Sequence, residues 1–280
     1  MTTDVLLEGL CFGEGPRWHE RRLWFSDMYG REVIAVDEAG NRETMVRLTD
    51  DEPSGLGWLP DGTLLIVSMR QRKLLAWDGS ALRDFADLSD LASARCNDMV
   101  TDGQGRSYVG NFGFDMFAGE EPAPAELVLV DSNGEARVVA EDLMFPNGTV
   151  ITPDGKTLVV GESFAGRLTA FDIAEDGSLS NRRLWAQLEG ALPDGICLDT
   201  EGGIWVASPS SDEVLRVLDG GEVTDRIALQ DGAYACMLGG ADGRTLFIAT
   251  GPDSVPEECE KNRRARIETV AVDYPGAGWP

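Results

Sequence analysis

One short phrase returns six times along this chain. It begins at Glu14 (EGPRWHERRLWFSD), Ser54 (SGLGWLPDGTLLIVS), Asn97 (NDMVTDGQGRSYVG), Asn147 (NGTVITPDGKTLVVG), Asp194 (DGICLDTEGGIWVAS) and Ala235 (ACMLGGADGRTLFIA). The spacings of 40, 43, 50, 47 and 41 residues, with strand-like content between them, are the sequence mark of a β-propeller. Each unit reads as strand, turn, strand, turn, strand, turn, strand, with apolar runs separated by turns such as Asp61-Gly62, Asp78-Gly79, Asp154-Gly155 and Asp176-Gly177. The last unit lacks one strand, and a spare strand lies at Val5–Gly9, before the first phrase. The expectation is an all-β, six-bladed β-propeller of four antiparallel strands per blade. The N-terminal strand closes the last blade, so the edges that an open array would expose are paired. Such closure leaves no interior boundary, and residues 1–280 read as one propeller domain.

If the units are equivalent, their opening residues meet at one mouth of the ring although they lie far apart in sequence. Four of the six are oxygen donors: Glu14, Asn97, Asn147 and Asp194. Two carboxylates and two amide carbonyls suit a hard divalent cation, whose remaining positions water fills. Ca²⁺ fits this donor set best; Zn²⁺, Mn²⁺ and Mg²⁺ stay open. The other two openings, Ser54 and Ala235, are small and would leave room beside an ion. Asn-Gly and Asp-Gly are also turn formers. The Asp-Gly turns of these units, however, fall about seven residues after the openings, in another register.

Several alternatives are excluded or weakened. The single histidine, His19, rules out a multi-histidine zinc site and follows Trp18 in a strand, a structural setting. No P-loop and no dinucleotide fingerprint occurs. The net charge of −25 argues against nucleic acid or an anionic membrane as partner. The five cysteines are scattered without a CxxC pair, which suggests free thiols in a reducing cytoplasm. No secretory leader and no apolar run long enough to span a bilayer is visible, so a cytoplasmic protein, favoured as a monomer, is expected.

Two connections are longer than the rest, 111–126 and 251–266, each between the second and third strands of its unit. By strand direction they belong on the same face as the four oxygen donors. Residues ending second strands and these loops are the candidates for a pocket: Asp27, Arg70, Asn111, Phe112, Glu162 and Ser208. Arg70 and Glu162 suit a polyhydroxylated ring, whereas the apolar stretch Phe112–Phe117 suits a less polar ligand.

EGPRW at Glu14, RCND at Arg95–Asp98, FPNG at Phe145–Gly148 and PDG at Pro193–Gly195 together resemble the senescence marker protein, gluconolactonase and luciferin-regenerating enzyme family, in order and across essentially the whole chain. The resemblance implies a six-bladed propeller with one catalytic divalent cation at the top of its channel. It implies that Glu14, Asn147 and Asp194 are direct ligands and that Asn97 is a fourth ligand or a substrate contact. Arg95 would then lie near a substrate oxygen, and Asp194 would serve as general base. The implied activity is opening of a lactone, of the sugar type by family default, with a small molecule as the only partner. Hydrolysis or isomerisation of another ester, phosphotriester or specialised metabolite, and a noncatalytic Ca²⁺-binding propeller, are the alternatives.

Overall fold

The computed structural model describes residues 2–277. Strand β1 covers Asp4–Leu10. Blade 1 follows with β2 (Gly13–His19), β3 (Arg22–Asp27), β4 (Glu32–Val36) and β5 (Arg42–Arg47). Blade 2 holds β6 (Pro53–Trp58), β7 (Leu64–Ser68), β8 (Lys73–Trp77) and β9 (Leu82–Asp87). Blade 3 holds β10 (Cys96–Thr101), β11 (Ser107–Asn111), β12 (Ala125–Val130) and β13 (Ala136–Leu143). Blade 4 holds β14 (Pro146–Ile151), β15 (Thr157–Glu162), β16 (Arg167–Ile173) and β17 (Leu179–Gln187). Blade 5 holds β18 (Ile196–Leu198), β19 (Ile204–Ser208), β20 (Glu213–Val217) and β21 (Val223–Ala228). Blade 6 holds β22 (Gly232–Gly239), β23 (Thr245–Gly251) and β24 (Ala265–Ala271), and β1 pairs with β24 as its outer strand. The six-bladed ring and its N-terminal closure are therefore as the repeats predict.

Burial explains why the strands read as they do. Second and third strands are covered on both faces by neighbouring blades and run as continuous apolar segments: Leu64–Ser68 and Glu32–Val36 are buried at every position. Outer strands such as Arg42–Arg47 and Leu82–Asp87 are largely exposed and carry the charge. The core is thus distributed between blades, with Leu23, Phe25, Trp205 and Phe247 among its fully buried members. Turns between strands are closed by aspartates: Asp61 accepts the Thr63 N–H at 2.9 Å and Asp78 the Ser80 N–H at 3.0 Å. Such backbone donors hold the Asp61 carboxyl below its usual range and draw Asp78 down to about 2.

Two features lie beyond the repeat pattern. The 251–266 connection contains a helix, α1 (Pro256–Asn262), the one α-helix among the described residues. The C-terminal segment also ties blades 5 and 6 together. The Gly276 N–H reaches the Gly243 carbonyl, the Ala277 N–H reaches Leu198, and the Arg216 guanidinium lies over the Tyr274 ring at 3.5 Å. Every second-to-third connection opens on the face where the first strand of each blade begins, and every first-to-second hairpin opens on the opposite face.

Removing residues 2–10 should leave β24 as a bare edge and open the ring. The expected result is a melting temperature lower by on the order of 10 °C and self-association on size-exclusion chromatography. An unchanged melting temperature would mean that closure through β1 contributes nothing.

Candidate functional site

The phrase that opens each unit lies at the axial end of its innermost strand, and two local devices aim it. First, the pairing of these strands slips by a bulge in five blades: Glu14/Arg17, Pro53/Leu56, Cys96/Met99, Pro146/Thr149 and Ala233/Ala235. A bulge turns successive side chains off the regular pleat, here toward the axis. Second, glycine follows the opening residue where blades crowd. A Cβ on Gly148 would stand 2.4 Å from the Ile196 nitrogen, and one on Gly195 would stand 2.6 Å from the Ala235 Cβ. These two glycines do not have positive φ and are not turn residues. They let adjacent inner strands touch, and the Gly148 N–H donates to the Asp194 carbonyl at 3.1 Å, the Gly195 N–H to Tyr234 at 2.8 Å.

Glu14, Asn97, Asn147 and Asp194 line one cavity of about 410 Å³ at this end of the axis. Glu14, Asn97 and Asn147 are buried, and the Oδ1 of Asp194 is enclosed. The Asn147 Nδ2 donates to the Ser163 Oγ at 3.3 Å, and that hydroxyl donates to the Pro193 carbonyl at 2.6 Å. This chain of bonds orients Asn147 and leaves its Oδ1 with no donor. Asp194 Oδ1 likewise has no partner, nor has Asn97 Nδ2, and a half-turn of that amide presents its oxygen instead. Burial, reinforced by Asp194 and Asp98, pushes the Glu14 carboxyl well above its usual range. Asp194 is pushed up to about 8, chiefly by burial, while the Asn147 amide pulls the other way. Buried acceptors without donors, beside two carboxyls that resist ionisation together, describe a place that lacks positive charge. Among the described residues no three His, Cys, Asp or Glu side chains gather as a metal cluster. The donor set is two acids and two amides, the hard oxygen chemistry that suits Ca²⁺. Beneath it the buried Arg17 pairs with Asp98 at 3.0 Å, which balances the third carboxyl of the channel.

The walls above these four residues are aromatic. Phe112 and Phe145 stack at 4.5 Å on one side, and Phe12 packs on Tyr234 at 4.5 Å and on Tyr29 at 5.3 Å on the other. Connections between second and third strands supply Met28, Phe112, Phe117, Phe164, Ser210 and Ser254 to the cavity, including both long loops.

Residues 12–251 match the family described as "SMP-30/Gluconolactonase/LRE-like region". The chain belongs to this family. Regucalcin of Gallus gallus is 28% identical over 264 residues, covering 88% of this chain and 85% of its own. The 6-deoxy-6-sulfogluconolactonase of Pseudomonas putida is 26% identical over 286 residues, covering 99% and 96%. Among solved structures, a calcium-binding protein, regucalcin, from Agrobacterium tumefaciens superposes with a TM-score of 0.84 at 21% identity, over 100% of this chain and 96% of that one. At that identity the likeness speaks for the fold.

The other pocket residues named from sequence in this SMP-30/gluconolactonase chain are placed differently. Phe112 lines the cavity beside Asn97. Asn111 does not: its amide donates to the Glu126 carbonyl at 3.0 Å and accepts the Gly113 N–H at 2.9 Å, fastening the base of the 111–126 loop. Glu162 is fully buried and turned away, bound to Arg167 at 2.8 Å and to the Met144 N–H at 2.9 Å. Asp27 caps the Cys11 and Phe12 amides, and Arg70 pairs with Glu52 at 3.7 Å. The Ser208 hydroxyl takes the Leu192 N–H at 3.2 Å. Arg95 stands behind the wall, half-buried, with its guanidinium 4.4 Å over the Phe117 ring and 3.0 Å from Glu52. Ser54 and Ala235 are buried by their neighbours and open no sector of the mouth, so the room lies above the oxygen donors instead. His19 stacks on Trp58 at 4.0 Å, at the far end of β2 from Glu14 and about 17 Å away by strand rise. All five cysteines are buried and unpaired, and among the described residues no helix is long and apolar enough to cross a membrane.

Among the cavity residues that sequence reading missed, beside Tyr29, Phe164 and Tyr234, are Phe12, Phe145 and Leu192. Each of the last three lies two positions before an opening residue, at Glu14, Asn147 and Asp194. All three lie outside the strands, in the segments that lead into the innermost ones, so their constant offset from the opening residue was the only signal in the sequence.

Asp194→Asn should stabilise the chelator-treated protein at neutral and higher pH. The folded carboxyl titrates near 8 and the unfolded one near 4. Folding therefore takes up a proton between these values, and wild-type stability falls as pH rises through that window. The variant should melt several degrees above wild type at pH 8 and converge with it at pH 4, as differential scanning calorimetry would show. Equal melting temperatures at pH 8 would contradict the charge imbalance described above.

Proposed function

We propose that this protein is a divalent-metal-dependent hydrolase that opens a lactone at the top of the propeller channel. The observation that carries the reading is the convergence of the unsatisfied buried oxygens of Asn147 and Asp194 with the buried Glu14 carboxyl, Asn97 beside them, at the floor of the aromatic cavity. The donors fit Ca²⁺ best; Mg²⁺, Mn²⁺ or Zn²⁺ are the other candidates. A cation held by these residues would polarise the lactone carbonyl and offset the negative charge that develops on its oxygen. Membership of a gluconolactonase-related family, and the lactonase activity for which the Pseudomonas putida relative is named, support ring opening as the reaction.

In this reading the protein's side chains do the following. Glu14, Asn147 and Asp194 would hold the cation, Asn147 through the orientation that Ser163 imposes on it. Asn97 holds the substrate's ring or carbonyl oxygen from the blade-3 side. Asp194 is the general base: its enclosed Oδ1 receives the proton of the attacking water as the oxygen bonds to the carbonyl carbon. That proton then goes to the leaving ring oxygen as the acyl C–O bond breaks, giving a hydroxy acid. Neither a serine nor a cysteine nucleophile is required. Arg95 sets the position of the Phe117 ring, which lines the cavity.

Hydrolysis of gluconolactone, xylonolactone and an aliphatic lactone, followed by acid release, should vanish after chelation and return with added Ca²⁺ or another divalent ion. Asp194→Ala should lower kcat/KM by about 10³-fold, the combined loss of a ligand and a base. Turnover that persists without metal, or no turnover of any of these lactones in the metal-loaded protein, would refute the proposal.

A further inference from the structure

We infer that the cavity selects an uncharged lactone carrying an alkyl or aryl substituent and rejects polyhydroxylated and anionic rings. The inference rests on the lactone-hydrolase reading for its chemistry, and on the walls for its specificity.

In a ring of six, blades 1 and 6 face blades 4 and 3 across the axis. Phe12, Tyr29 and Tyr234 come from blades 1 and 6 and their connections, whereas Phe112, Phe145 and Phe164 come from blades 3 and 4 and theirs. A ligand standing on the four oxygen donors is therefore held between two aromatic walls. Phe145 occupies its place at φ +60°, a conformation unfavourable for a bulky side chain. It is held there by stacking on Phe112 and by the Ser163 N–H donating to its carbonyl at 3.1 Å. Strain of this sort is retained where the side chain has a task in a site.

What the walls lack is equally informative. Beyond the four donors, their polar side chains are three serines and two tyrosines. The Ser163 hydroxyl is bonded to Pro193, Ser210 accepts the Leu192 N–H at 3.1 Å, and Tyr29 donates to the Ser254 carbonyl at 3.2 Å. A sugar lactone would bury several hydroxyls against rings with few partners for them. Each buried hydroxyl left unpaired costs about ten- to a hundredfold in binding. Among the described residues no cationic side chain lines the cavity, and the two carboxylates already balance a divalent cation at its floor, so a sulfonate or phosphate meets no surplus positive charge. The rim continues the apolar character, with Met116, Phe117, Phe164 and Leu192 each more than two-fifths exposed. At about 410 Å³ the space takes a ring plus a substituent.

The test uses two δ-lactams that resist hydrolysis, 6-pentyl-2-piperidinone and gluconolactam, titrated calorimetrically into Ca²⁺-loaded protein. The pentyl lactam should bind at least tenfold more tightly. Phe164→Asn and Phe117→Asn, at rim positions more than two-fifths exposed, should each narrow that ratio by about threefold or more. Equal or tighter binding of gluconolactam, or no binding of the pentyl lactam, overturns the inference. A parallel assay compares hydroxide-normalised kcat/KM for δ-decalactone and glucono-δ-lactone. If neither lactone is hydrolysed, the reaction is wrong while the lactam ratio still decides the specificity.

Discussion

The structure depends on how closely six inner strands can approach one axis. Antiparallel blades pack face to face at side-chain distance, but at the centre the strands of neighbouring blades come within backbone contact. Gly55, Gly148 and Gly195 make that contact possible, since a Cβ at any of them would sit within 2.6 Å of an atom in the next blade. Crowding is what brings residues from blades 1, 3, 4 and 5 to one point. In blade 3 the glycine is replaced by Asp98, and Arg17 of blade 1 answers it from below. The opening residues and the glycine positions are therefore one device: the first points inward because the second permits the approach.

This device gathers charge as well as backbone. Glu14 and Asp194 are both held above their usual titration range, in each case chiefly by burial, and Asp98 adds to both. Arg17 partly offsets Asp98 but leaves the pair at the mouth without a counter-charge. A fold that encloses two carboxyls in this way is less stable for it, unless a cation completes the arrangement. Such a cost, at a cavity with family precedent for lactone chemistry, is the pattern of a site kept for function rather than for folding.

Much of this was legible from the chain. The period and the Asp-Gly turns imply blades, and the missing last strand with the spare first one implies closure; β1 paired to β24 meets that expectation. The face that carries the long loops also followed from strand direction. Side-chain direction at strand ends did not. Asn111 and Glu162 close second strands and look available, yet the first ties down its own loop and the second turns back to Arg167. Bulges and buried ion pairs decide such orientations, and neither leaves a local trace in sequence. Phe12, Phe145 and Leu192 were hidden for another reason. They precede the repeated phrase, so an alignment that starts at its first residue passes over them.

The central claim is that Glu14, Asn147 and Asp194, from blades 1, 4 and 5, form one cation site at the mouth of the propeller with Asn97 of blade 3 beside it. A crystal of the protein grown with Ca²⁺, with anomalous difference density collected, tests it directly. One peak is predicted, about 2.3–2.6 Å from carboxylate or carbonyl oxygens of Glu14, Asn147 and Asp194. An ion-free mouth at saturating Ca²⁺, or a sole peak elsewhere on the molecule, would contradict the account.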